Sequence, residues 1–159
     1  MSKEELINLL RDYKENKAKL NIRLKELKLA RIVLKSLKEV DVSLTSVIEI
    51  NGDIHSKNKI SDKVGKQVEE NDEKRREKEA EIEKLEEQIK ELREKVESVE
   101  DRLEGLKYKE RELLYAYYVE GRTAEDIGNR LYFQLFNQTR SARHIQRIIE
   151  NATEKMLNL

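Results

Sequence analysis

Apolar residues recur every seven positions over the first forty residues, at Leu6, Tyr13, Leu20, Leu27 and Leu34. Leu10 and Leu24 lie on the companion row, where Lys17, Arg31 and Lys38 also fall. Apolar positions spaced alternately three and four form the seam along which two helices interlock side chains, so the pattern predicts a coiled-coil helix over 1–40. The three basic residues interrupt that seam. Either their stems lie along its edge, or their heads face acidic positions of a partner helix. Ile32, Val33 and Leu37 widen the apolar face near the end, as expected where more than two helices meet.

The pattern changes over 41–61. V-S-L-T-S-V-I-E-I is β-branched and roughly alternating, and Asn51-Gly52 is a favoured pair for a tight hairpin turn, because both residues tolerate positive φ. A small β-hairpin or an ordered loop is expected here. A second helix is expected over 62–106, with Ser61 as its cap and Asp62 in its first turn. Its early seam is poor, with Asn71, Arg75 and Lys78 in line with Val64 and Val68. From Ile82 the seam is regular: Ile82, Leu85, Ile89, Leu92, Val96, Val99, Leu103 and Leu106 alternate steps of three and four.

Charge decides how this seam is filled. Residues 1–60 carry 13 Lys and Arg against 9 acids, whereas 69–104 carry 9 against 16. A parallel homodimer of the second helix would set Glu81 against Glu86 and Arg102 against Lys107, both repulsive. An antiparallel hairpin with the basic first helix fits better, and the two helices, on the order of 55 and 65 Å long, match in length. The half-interrupted seams predict that two such hairpins associate as a homodimer or a higher homo-oligomer. Gly105 weakens the helix at the end of the seam and reads as a hinge.

The last third, 107–159, has the periodicity of three short helices. The first carries Leu113, Leu114, Tyr117 and Tyr118 on one face and closes at Gly121. Thr123, with Asp126 three residues on, has the form of a capping box for the second, whose buried stripe is Ile127 and Leu131. Ser141 can cap the third, with Ile145, Ile148, Ile149, Ala152 and Met156 inward. Helical spacing assigns Tyr115, Tyr117 and Tyr118 to core packing rather than to base stacking. The fold class is therefore all-α: a long antiparallel helical hairpin or coiled coil, then a C-terminal helix-turn-helix domain, with the small β-hairpin as one option for the connecting loop.

Y-V-E-G-R-T-A-E-D-I-G-N-R-L over 118–131 resembles the first half of the helix-turn-helix of sigma factor region 4, and S-A-R-H-I-Q-R-I-I-E-N-A-T-E-K-M over 141–156 resembles its recognition helix. The resemblance is to phage-encoded sigma-like transcription regulators of Gram-positive bacteria, of the kind controlling late genes or autolysins. It covers about the last third of the chain and implies binding to double-stranded promoter DNA and contact with RNA polymerase. Two features depart from that pattern. Residues 132–140 add about seven to the usual turn, which must bulge and must cover Tyr132, Phe133, Leu135 and Phe136. Nothing upstream resembles the aromatic-rich part of a complete sigma factor.

The chemistry of the third helix points the same way. Arg140, Arg143 and Arg147, with His144 and Gln146, crowd its amino-terminal end, and no acid lies between Tyr132 and Ile149. Arginine suits guanine edges and phosphates, glutamine suits adenine edges, and the first turns of a recognition helix are where such contacts are made. Arg143, Gln146 and Arg147 are assigned to bases, and Arg140, Ser141 and His144 to backbone or edge contacts.

Composition narrows the remaining classes. With 42% charged and 37% hydrophobic residues and no proline, the chain suits elongated helices with narrow seams rather than one large core. There is no cysteine, and neither histidine has a second ligand at metal spacing, so no metal or other cofactor is expected. No phosphate-binding loop, nucleophile elbow or paired catalytic carboxylates occur, so an enzyme is not expected. No run of about 18 apolar residues is present, and a cytoplasmic protein without membrane contact is expected. Two other readings share these features: a DNA-packaging protein of the small-terminase kind, and a coiled-coil scaffold that binds proteins through its acidic helix.

Overall fold

The computed structural model describes the backbone over residues 1–50 and 60–159, and side chains over 1–39 and 66–159. The fold is all-α: two long antiparallel helices, α1 (Lys3–Ile50) and α2 (Ile60–Glu104), followed by shorter helices, with no strand among the described residues. These are α3 (Tyr108–Tyr118), α4 (Ala124–Asp126), a π-helical segment (Ile127–Leu131), α5 (Tyr132–Phe136) and α6 (Ala142–Leu157). Among the described residues no helix is long and apolar enough to cross a membrane. The chain forms two compact units, one of Met1–Leu20 with Glu91–Leu159, the other Asn21–Lys90.

α1 starts on a reciprocal cap. The Ser2 N–H donates to Glu5 Oε2 at 2.7 Å and the Glu5 N–H donates to Ser2 Oγ at 3.1 Å. The helix does not stop near residue 40. It continues to Ile50, so the stretch read as one arm of a hairpin is helical; Asn51-Gly52 lies outside the described residues. No proline or glycine intervenes before Ile50, and β-branched residues cost a helix only a few tenths of a kcal/mol each, about 0.7 at most. Likewise α2 already runs from Ile60, which puts Ser61 inside the helix rather than at its cap.

In the Asn21–Lys90 unit, Leu27 and Ala30 of α1 and Leu85 and Ile89 of α2 are buried. Arg31 NH2 lies 2.7 Å from Glu86 Oε1 and Lys38 Nζ 3.5 Å from Glu79 Oε1. One heptad forward on α1 matches one heptad back on α2, the register of an antiparallel pair. Asn71, Arg75 and Lys78, which interrupt the early seam of α2, are half-buried. Arg75 pairs with Asp72 at 2.7 Å, and Lys78 pairs with Glu81.

In the other unit, Leu6, Leu10, Tyr13 and Leu20 of α1 are buried, as are Val96, Val99 and Leu103 of α2 and Leu106 beyond it. Lys17 Nζ donates to Glu100 Oε1 at 2.6 Å and to the Tyr13 hydroxyl at 2.9 Å, and that hydroxyl donates to Glu100 Oε1 at 2.6 Å. The basic residues that break the seam of α1, Lys17, Arg31 and Lys38, therefore all face carboxylates of α2. Gly105 is a packed corner rather than a free hinge. A Cβ there would stand 2.5 Å from Leu159 Cδ1, and Arg102 NH1 donates to the Met156 carbonyl at 2.6 Å.

The Tyr13, Lys17 and Glu100 group sets a pH dependence. Hydrogen bonds from Lys17 and Tyr13 hold the Glu100 carboxyl below its ordinary 4.5, and those with Glu100 and Tyr13 hold the Lys17 ammonium above its ordinary 10.5. A depressed carboxylate contributes stability above 4.5 that is lost as pH falls through its folded value. A raised ammonium contributes stability below 10.5 that is lost as pH rises through its own. Thermal unfolding against pH is expected to show a plateau between these limits. Glu100→Gln should flatten the acid limb and lower the plateau by less than about 1 kcal/mol, because both side chains are more than a third exposed to screening solvent.

Candidate nucleic-acid interface

The tip is built around Leu113 and Ala116 of α3, Ala124 and Ile127 of the following helical run, Tyr132, and Ile145 and Ile149 of α6. Each helix contributes its apolar stripe to this one core. Tyr117, Tyr118, Leu131, Phe136 and Ile148 pack around it half-exposed. The tyrosines do sit in packing: Tyr117 and Tyr118 meet edge to face at 5.0 Å, and Tyr115 meets Tyr13 of α1 at 6.3 Å.

α3 closes where expected. Gly121 takes φ +69°, and the Arg122 N–H reaches back to the Ala116 carbonyl at 3.0 Å, satisfying an otherwise orphaned acceptor. Thr123 caps the next helix, its Oγ1 accepting from the Asp126 N–H at 3.2 Å. The Asp126 carboxylate is directed at Arg130 Nε, 3.4 Å away, and at Arg122 NH1, 3.9 Å away. Lys155 of α6 pairs with Glu110 of α3, which also accepts from the Lys107 N–H at 3.4 Å; these contacts, Lys155 first, hold the Glu110 carboxyl below the usual carboxylate range.

The long interlude does not form a bulging turn. α4, the π-helical segment and α5 run together over 124–136, so Tyr132 to Phe136 continue that helical run. The Tyr132 N–H bonds to the Ile127 carbonyl, five residues back, one more than an α-helical turn spans. Tyr132 is thereby buried, with the Lys109 ammonium bonded to its hydroxyl and lying 4.6 Å from its ring centroid. Burial alone would raise the Tyr132 phenol, but Lys109 and Arg140 outweigh it and hold it below the ordinary tyrosine range. Phe133 is left exposed.

Asn137 ends the run in the left-handed region at φ 53°, and its N–H donates to Phe133 O at 2.8 Å. The chain then doubles back, and the Arg140 N–H donates to Gly128 O at 3.0 Å. This approach requires glycine, since a Cβ on Gly128 would lie 2.1 Å from the Arg140 carbonyl oxygen. Neither Gly128 nor Lys109 stands out by spacing in the sequence. A lone glycine within a helical pattern is the one signal that could have drawn attention to Gly128.

The six residues expected at the interface are all exposed at the start of α6 or in the turn before it. Ser141 caps α6, its Oγ accepting from the His144 N–H at 3.4 Å. Arg143 and Arg147 lie one turn apart on the outer face, and neither makes an ion pair among the described residues. His144 and Gln146 flank them. Arg140 is set apart from this group: its guanidinium lies 5.8 Å from the Tyr132 ring centroid and donates to Gln138 Oε1 at 2.9 Å. It braces the turn as well as facing solvent.

Comparison with known protein families, with curated proteins and with solved structures finds no match to this chain.

Gly128→Ala is expected to destabilise the tip by roughly 2 kcal/mol or more, because the contact is with backbone that cannot rotate away. Differential scanning calorimetry of the full chain reads this directly; an unchanged melting profile would show that the close approach is not maintained in solution.

Proposed function

We propose that this protein is a DNA-binding transcription regulator whose tip reads double-stranded promoter DNA with α6. The observation that carries the reading is the amino-terminal face of α6, where Arg143, His144, Gln146 and Arg147 are exposed together and both arginines are without an ionic partner among the described residues. A buried guanidinium needs a carboxylate partner, whereas these two are solvated and have their donors available to phosphate or base edges. Here they project from a helix whose opposite face, Ile145 and Ile149, is anchored in the core behind the preceding helix, in the order of a helix-turn-helix. The likeness of 118–131 and 141–156 to sigma factor region 4 supports the same reading and extends it to contact with RNA polymerase.

In this reading Arg143, Gln146 and Arg147 face base edges in the major groove. Ser141 and His144, with Arg140 beside the turn, face the phosphate backbone, where they set the register of the helix without carrying sequence information. The homodimer expected from sequence is part of the proposal. Leu85, Ile89, Val96, Val99 and Leu103 of the α2 seam are buried within the chain itself, so self-association would use another face.

Duplex DNA selected from a random pool by the full chain should bind with a strong salt dependence, weakening several-fold as salt is doubled. Arg143→Ala and Arg147→Ala should each cost about 1–3 kcal/mol on the selected sequence and relax preference at one base step, with helicity unchanged. Arg140→Ala should weaken all sequences about equally. Failure to bind any duplex at low salt, with or without RNA polymerase, would sink the proposal.

A further inference from the structure

Within the Asn21–Lys90 unit α1 carries two apolar faces. Leu27 and Ala30 are buried on one. On the other, Ile22, Leu29, Ile32 and Val33 are 54, 63, 56 and 43% exposed. At roughly 100° per residue these four fall on one stripe, turned away from the buried face. Ile22, Lys25, Leu29 and Ile32 follow steps of three, four and three, the spacing of a helix seam. Isolated surface leucines need no explanation, but a row of large apolar residues at seam spacing is what a further helix would cover.

The charges on this stripe say which helix. Lys25 sits in the row and Lys28 on one margin, and neither makes an ion pair among the described residues. Lys35, on the same margin, is held only loosely by Glu39 at 3.9 Å. Glu26, the one acid beside the stripe between Ile22 and Val33, is engaged by Arg23 at 2.6 Å. A second copy laid stripe on stripe would meet like charge in either direction. Antiparallel packing brings the Lys25 and Lys28 margins together, and parallel packing stacks Lys25 on Lys25. An amphipathic helix with an apolar seam and acidic flanks would cover the stripe and neutralise its lysines.

We propose that the outer face of α1 is a docking site for an acidic amphipathic helix of a partner protein. This site lies on the hairpin and stands whether or not the tip binds DNA. Its affinity rests on the four apolar side chains, and its selectivity on Lys25 and Lys28.

The probe is a labelled synthetic amphipathic helix with leucines on its seam and glutamates on both flanks, titrated onto the full chain by fluorescence anisotropy. A second peptide keeps the seam and carries lysines on the flanks. The acidic peptide is expected to bind at least about tenfold more tightly than the basic one at low salt. Leu29→Ser combined with Ile32→Ser should weaken it at least about tenfold, and Lys25→Glu combined with Lys28→Glu should reverse the preference between the two peptides. All four side chains are exposed, so circular dichroism should show unchanged helicity in both variants. Equal binding of the two peptides, no binding of the acidic one, or binding indifferent to the serine pair would overturn the proposal. So would sedimentation showing a dimer that the serine pair dissociates, because the occupant would then be a second copy of this chain.

Discussion

The apolar seam of α2 has to be covered along its length, and the chain covers it with its own first helix. Ion pairs set the register of that covering. Lys17 with Glu100 in one unit, and Arg31 with Glu86 and Lys38 with Glu79 in the other, put the basic interruptions of α1 opposite acids of α2. Each pair is half-exposed and contributes little stability on its own. Their effect is on specificity, since a slip in register or a parallel arrangement would bring like charges together. The buried leucines and valines provide the stability, and the charges select one way of burying them.

Because the seam is filled from within, the surfaces left for other molecules lie elsewhere. One is the exposed start of α6, where Arg143 and Arg147 make no ion pair among the described residues. The other is the outer stripe of α1, apolar and edged with lysine. Both are basic, although the chain is formally neutral, because the acids are concentrated on α2. A net charge of zero therefore says little about what such a protein can attract; the placement of charge on particular helices decides it.

The tip shows how an aromatic stretch between two helices can be taken up into the fold. Tyr132 to Phe136 could have formed a protruding loop with unsatisfied backbone groups. They continue the helix instead, through a π-helical turn in which the Tyr132 N–H bonds to the Ile127 carbonyl and Tyr132 is buried beside Lys109. Asn137 reverses the chain, and Gly128 lets it return to within hydrogen-bonding distance. Arg140, placed by that return, takes part in the turn through Tyr132 and Gln138, which a reading of it as a simple phosphate contact leaves out.

Heptad spacing, capping residues and the split of charge between 1–60 and 69–104 determined a good part of this architecture in advance: two long helices running antiparallel, Gly121 and Thr123 at the turn between α3 and α4, and Ile145, Ile149 and Met156 facing inward. These are local or periodic properties, carried by each residue's own preference and its neighbours on one helix face. The conversion of 132–136 from turn to helix and the close approach at Gly128 were decided only by the tertiary structure. The preference of aromatic residues for strand over helix is only on the order of 1 kcal/mol and depends on context, so what Tyr132 and Phe136 pack against determines which they join. That Gly128 lies against Arg140, twelve residues away, depends on a chain reversal that no periodicity in the sequence records.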